Sequence, residues 1–259
     1  MAFRVQGTQR VPAVSKIAGS GRPDHSARAP SSGTIEGMPA LRTLEEIWPP
    51  YALTIRCGDL TLSPVREADL PELLRAAKGG VQPEGLRVFP LNWDEGDMRT
   101  VAGNLATYHW GVRAATKPDN WAFEFTARLR GEVIGVQSIR AEHYPVLHAA
   151  ETGSWMSRDF QGRGLGTLMR QTIAAAFFDS FDAKELYTTY VDGNAPSRRV
   201  SEKTGYVENG RVRSTNADGE ATVSHRMVLR SEALVRPAEP VVVIGAEPFR
   251  DFIGLDEES

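Results

Sequence analysis

The sequence predicts a single α/β domain built on a mixed, mostly antiparallel sheet with helices on its flanks. Three observations lead there. Residues 121–129 alternate apolar and polar, as a strand with one buried face must. Residues 165–177 switch to three- and four-residue spacing, the period of a helix with one apolar stripe. Adjacent strands joined by tight turns come first, and a strand–helix–strand stretch follows.

The elements are predicted in order. Ala52 to Arg56 and Leu60 to Pro64 flank Gly58-Asp59 and read as a β-hairpin. Leu70, Leu73, Leu74 and Ala77 place a helix over Arg66 to Lys78, ended by Gly79-Gly80. A loop with Pro83, Gly85 and Pro90 precedes a longer helix, Asp94 to Ala115, which Pro118 stops. Trp121, Phe123, Phe125, Ala127 and Leu129 share one face of the next strand, opposite Glu124, Thr126 and Arg128. A turn at Gly131-Glu132 leads to its antiparallel partner, Val133 to Ile139, and a further strand spans Ala149 to Met156. From Gly164, Leu165, Leu168, Met169, Thr172, Ile173, Ala176 and Phe177 form a helical stripe. Glu185 to Val191 is a strand and Ala195 to Lys203 a short helix with Pro196 near its start. Strands at Tyr206 to Arg213 and Thr222 to Leu229 close the domain.

This places the domain at 52–230. Residues 1–40, rich in Gly, Pro, Ser and Arg, read as a disordered extension, with Met38 near its end as a candidate translational start. Residues 231–259 read as a loosely held C-terminal tail set off by Pro237 and Pro240. The 259 residues carry 30 Lys plus Arg against 33 Asp plus Glu, a net charge of −3, which gives no electrostatic argument for a nucleic-acid or membrane partner, and none is expected. Apolar runs such as Val241 to Ile244 are too short to cross a bilayer. The single cysteine, Cys57, excludes an intrachain disulfide and fits a cytoplasmic setting. The five histidines (His25, His109, His143, His148 and His225) lack metal-ligand spacing, so no metal site is expected.

Chemistry is concentrated in one loop. Gln161-Gly162-Arg163-Gly164-Leu165-Gly166-Thr167 lies between a strand and the apolar-striped helix. The first turn of a helix has unpaired N–H groups and the positive end of the dipole. Glycines there let an anion approach the main chain, Arg163 adds charge and Thr167 a hydroxyl. The spelling excludes a triphosphate loop, which needs Gly-Lys-Ser/Thr, and a dinucleotide fingerprint, whose glycine spacing differs.

The spacing of Gln161, Gly164 and Gly166 resembles the Gln/Arg-x-x-Gly-x-Gly/Ala loop of the GNAT superfamily of acyl-CoA N-acyltransferases. Thr152 to Met156 resembles that superfamily's fourth strand. Asn194 to Tyr206, with Ser197, Lys203 and Gly205, is similar to its Asn-x-x-Ser segment. The ribosomal-protein N-terminal acetyltransferase (Rim-type) branch is the best match. The resemblance implies a sheet splayed between strands four and five, with the pantetheine arm of acetyl-CoA lying in the gap. Ser154 and Met156 would line it, with the Met156 N–H as oxyanion donor, and Gln161 to Thr167 would hold the pyrophosphate. Asn194 and Ser197 would contact the cofactor, Ser197 near the leaving thiolate.

The resemblance further implies acetyl transfer to a primary amine by direct attack in a ternary complex, with Glu151 as the base. Many relatives place a tyrosine acid where this chain has Ser201, which leaves Tyr206 and Tyr190 as neighbours to consider. A catalytically silent acyl-CoA sensor is the rival expectation. The acceptor is expected between the loop Val81 to Trp93, the second helix and the loop around His143. The C-terminal strands and tail are the surfaces expected for a homodimer.

Overall fold

The computed structural model describes residues 42–256, apart from 83, 84, 90–92 and 217. The extension 1–40 with Met38 and His25, and the last three residues, lie outside the described residues.

A capping box on Thr43 starts helix α1 (Leu44–Ile47), and a 3-10 turn (Pro49–Ala52) leads into the hairpin β1 (Thr54–Cys57) and β2 (Leu60–Pro64). Helices α2 (Leu70–Lys78) and α3 (Met98–Ala115) come next. Strands β3 (Asn120–Leu129) and β4 (Glu132–Glu142), the turn α4 (Tyr144–Leu147) and β5 (Ala149–Met156) follow. Then come α5 (Leu165–Ser180), β6 (Glu185–Val191), α6 (Ala195–Thr204), β7 (Val207–Thr215), β8 (Ala221–Arg230), β9 (Val241–Ile244) and α7 (Ala246–Phe252). Within 52–230 the predicted order of elements is the observed one, with the short helical turns, α4 among them, added; α1, β9 and α7 lie beyond the predicted elements. The second helix starts later than Asp94, because the Asp97 carboxylate accepts the Thr100 N–H at 2.8 Å and caps it there.

The described strands form one sheet in the order β7-β8-β6-β5-β4-β3-β2-β1-β9. Every neighbouring pair is antiparallel except β5 and β6. One face carries Trp121, Phe123 and Phe125, packed with Met169, Ile173 and Phe177 of α5 in the main core. Burying each such side chain contributes roughly 1.5–3 kcal/mol. The opposite face is covered too. Val136 lies in a second cluster with Leu73 of α2 and Leu105 of α3, and the buried Thr126 donates to Asp69 at 3.0 Å. The 121–129 strand is therefore buried on both faces rather than one.

The C-terminal segment corrects the expectation of a loose tail. Its β-branched run Val241 to Ile244 has the strand propensity to extend the sheet. It pairs with β1 from Thr54↔Ile244 to Cys57↔Val241. Phe249 and Ile253, one helical turn apart, are fully buried in the main core beside Phe123, Phe177 and Phe181. Arg250 donates to the Ser180 carbonyl at 2.8 Å and pairs with Asp182. Residues 241–253 are an integral part of the fold.

Candidate active site

The sheet opens at one place. Strands β5 and β6 pair in parallel at Ala149↔Glu185, Ala150↔Leu186 and Glu151↔Tyr187, and the ladder ends there. Beyond it β5 continues against β4 alone and β6 against β8 alone. Two threonines satisfy the parting backbones. Thr152 Oγ1 donates to the Tyr187 carbonyl at 3.2 Å, and Thr188 Oγ1 to the Thr152 carbonyl at 3.0 Å. Ser154 shares the face of α5 yet is exposed, which marks an open groove in the gap.

The glycine loop borders this groove. Gly162 and Gly164 take left-handed backbone, φ 73° and 81°, and a Cβ on either would meet nothing within 4 Å. Gly164 caps α5 without a side chain, and the first intrahelical bond runs from the Leu168 N–H to its carbonyl. The N–H groups of Leu165, Gly166 and Thr167 thus precede the ladder and are placed for an anion. Arg163 is exposed, its guanidinium 5.5 Å from the Phe160 ring centroid.

Other predicted members make contacts within the protein. Gly166 packs α5 against α6, since a Cβ there would touch Val200 at 3.4 Å. The exposed Gln161 donates its side-chain amide to the Met156 carbonyl at 2.9 Å, fastening the loop to the end of β5. The Met156 side chain is buried. Asn194 accepts the Ser197 N–H at 3.2 Å and so caps α6. Ser197 lies half-buried in the first turn of that helix. Ser201 is fully buried, and its hydroxyl donates to the Ser197 carbonyl. Tyr190 donates to Glu208 at 2.8 Å, while the Tyr206 hydroxyl sits 2.8 Å from Thr152 Oγ1 at the apex of the gap.

On the α2–α3 face lies a cluster of charge that sequence reasoning missed in part. Glu151 pairs with Arg140 across β4–β5, N to O 2.7 Å, through Oε2. Its Oε1 has no hydrogen-bond partner among the described residues. One strand further, Glu124 accepts from Tyr108 of α3 at 2.8 Å. Enclosure by protein pushes the Glu124 carboxyl up to about 7, against smaller opposing effects of the Tyr108 hydrogen bond and the Arg140 charge. The residue as a whole is half-buried. The signal available in sequence was a lone glutamate on the polar side of an alternating strand. That pattern ordinarily means a solvated face.

The α2–α3 loop forms the wall over this face. Arg158 donates to the Gln82 carbonyl at 3.1 Å and its N–H to the Gly80 carbonyl at 3.0 Å, stitching the wall to the glycine loop. Trp93 packs at a tilt against Trp155, 5.4 Å between centroids, and Arg87 pairs with Glu95 and with Asp218 of the β7–β8 turn. His109 is buried in α3, and burial lowers its imidazole to about 4, so it is neutral at pH 7. His143 is exposed in the α4 turn, and His225 stacks on Tyr190 and bonds Asp192 at 3.1 Å. No three metal-capable side chains gather among the described residues.

The sequence profile of the Acetyltransferase (GNAT) domain matches residues 59–207, more than half of the chain. The chain belongs to the GNAT acetyltransferases. Its GNAT fold is shared with RimJ of Mycobacterium smegmatis in complex with CoA-disulfide, at a TM-score of 0.60 and 21% identity, over 76% of this chain and 91% of that one. It is also shared with RimL, the ribosomal L7/L12 alpha-N-protein acetyltransferase in complex with coenzyme A. There the TM-score is 0.55 and the identity 16%, over 68% and 96% of the two chains. YdaF of Bacillus subtilis (strain 168), provisionally named a ribosomal N-acetyltransferase, is 30% identical over 64 residues. That stretch is 25% of this GNAT chain and 35% of YdaF, so the chain spans about a third of that relative. No helix among the described residues is long and apolar enough to cross a membrane.

Proposed function

We propose that this GNAT domain transfers acetyl from acetyl-CoA to the α-amino group of a protein or peptide by direct attack in a ternary complex. One observation carries the reading. The β5–β6 gap has a helix start fit for an anion on the α5 face. On the opposite face of the sheet, two strands away on β3, Glu124 carries a carboxyl raised to about 7. The N–H groups of Leu165, Gly166 and Thr167 bind the pyrophosphate, helped by Arg163, and pantetheine runs past Ser154 and Met156 toward the apex. Asn194 keeps its amide NH2 for the arm while its carbonyl caps α6. Ser197 borders the same groove.

The amine enters beneath the α2–α3 loop. Oε1 of Glu151 holds it beside the strand that carries the thioester. Glu124, through water, takes the proton that the amine must lose. A peptide amino group has an ordinary pKa of about 8, and a carboxyl near 7 is matched to accept from it. The names of RimL and YdaF, an alpha-N-protein acetyltransferase and a ribosomal N-acetyltransferase, favour a protein N-terminus over a lysine or a polyamine.

Thiol release from acetyl-CoA over a panel of peptides with free and blocked N-termini, polyamines and lysine peptides tests the assignment. Turnover confined to free N-termini is the expected result. A rival reading, a silent acyl-CoA sensor, rests on Ser201, whose hydroxyl is spent inside α6. Tight CoA binding with no turnover across the panel would favour that rival.

A further inference from the structure

Where β5 and β6 part, a side chain bridges the gap. Arg170 lies in the second turn of α5, and its Nη1 donates to Thr188 Oγ1 of β6 at 2.8 Å. Its Nη2 donates to Ser154 Oγ of β5 at 3.3 Å. The residue is 3% exposed, and its Nε has no partner. No carboxylate stands within ion-pair distance among the described residues. The titratable groups that face it are Tyr206, whose ring centroid is 5.9 Å from the guanidinium, and Glu151, already paired with Arg140. A buried guanidinium stays charged, and leaving that charge without a counter-ion is costly. The cost is understandable where an anion arrives during turnover. Ser154, one of its two hydrogen-bond partners, is the exposed residue of the groove.

Resting on the acetyl-CoA reading above, we propose that Arg170 stabilises the coenzyme A thiolate released in the reaction. The amine lone pair forms a C–N bond to the thioester carbon, and the carbonyl π pair moves to oxygen. That pair returns as the C–S bond breaks, and sulfur departs with the bonding electrons as a thiolate. The amine proton goes through water to Glu124, and solvent protonates the thiolate on release. The usual tyrosine acid is absent, Ser201 is turned into its own helix and Tyr190 is bound to Glu208. A fixed cation at the apex lowers the energy of the leaving group without a proton donor.

The test titrates the thiol of coenzyme A bound to the full-length protein, read by ultraviolet thiolate absorbance. Free coenzyme A, titrated in the same way, gives the reference value. Bound to the wild type it should titrate at least about one unit lower, as expected for an opposite charge close by. Arg170→Met should return it to the free value, leave coenzyme affinity below that pH unchanged and slow turnover about 10²-fold. Arg170→Lys, which keeps a charge, should retain most of the shift. An unshifted thiol in the wild type, or the same shift in Arg170→Met, overturns the proposal. The wild-type and Arg170→Lys titrations decide it even if Arg170→Met fails to fold. Absence of coenzyme binding to the wild type overturns the proposal together with the reading beneath it.

Discussion

Tyr108 of α3 donates its hydroxyl to Glu124 of β3 at 2.8 Å, which ties the helix to a carboxyl pushed up to about 7. Desolvation raises that value and the tyrosine opposes it, because a donor favours the ionised form. If Glu124 must be ionised to take the amine proton, turnover rises with pH through about 7. Glu124→Gln should lower kcat about 10²-fold and erase that inflection, while coenzyme affinity stays the same. Tyr108→Phe should move the inflection to higher pH with a smaller loss of rate. A Glu124→Gln enzyme with a wild-type pH profile would remove this residue from the mechanism.

The Arg140–Glu151 pair bears on the same carboxyl. Arg140 already lowers the proton affinity of Glu124 from a diagonal position across β3–β4, where its direct partner is Ala122. Glu151→Gln frees the guanidinium to act on Glu124 more strongly, so the acid limb of the rate profile should move to lower pH. It should also raise KM for the amine, whose bound form loses an acceptor. Arg140→Met should shift the limb the opposite way. Opposed shifts from the two variants, measured as kcat/KM against pH, are the expected pattern, and parallel shifts would show that the pair acts only as structure.

Glu124 also makes stability depend on pH. Its folded-state value, about 7, lies above the unfolded value near 4.5. The folded chain therefore holds a proton that the unfolded chain has released between those values. The associated stability is complete below about 4.5 and is lost as pH rises through 7. The upper bound is about 3 kcal/mol, and solvent contact reduces it. Glu124→Gln removes the term, so thermal melts should show the variant gaining on the wild type at pH 8 but not at pH 5.

The glycine loop was legible because its chemistry is local. A strand, three glycines at fixed spacing and an apolar-striped helix place unpaired N–H groups with no tertiary information needed. The splay was legible only through family likeness. The roles of Gln161 and Asn194 were not separable by sequence, since an amide can serve a ligand, a strand end or a helix cap, and here each has a protein partner. Glu124 and Arg170 were missed for a common reason. Their chemistry comes from burial, and burial of a polar residue depends on what a distant helix lays over it. The C-terminal strand was missed because four apolar residues do not reveal which sheet edge will accept them.

Gly164→Trp tests the loop directly. The glycine has φ 81°, and space is open where a side chain would project, which is the approach expected for the pyrophosphate. Tryptophan would fill that approach, and the left-handed backbone would add about 1–2 kcal/mol of strain. Calorimetry should show coenzyme binding lost, with the melting temperature reduced modestly. Gly166→Val makes the contrast, because its side chain would press on Val200 and separate α5 from α6. It should lower stability first and affinity second. Unchanged affinity in Gly164→Trp would sink the phosphate assignment.

Phe249 tests whether the C-terminal segment belongs to the domain energetically as well as geometrically. Its ring is fully buried and lies 4.9 Å from the rings of both Phe123 and Phe181. Truncating such a side chain removes its transfer energy and leaves a cavity, about 3–5 kcal/mol together. Phe249→Ala should therefore shift the urea midpoint strongly with little change in the slope of the transition. Val242→Lys, on the half-exposed outer face of β9, should have little effect by the same measurement. If both variants unfold like the wild type, β9 and α7 are a dispensable addition. If only Phe249→Ala is destabilised, α7 is a structural part of the core that supports β3 and, through it, Glu124.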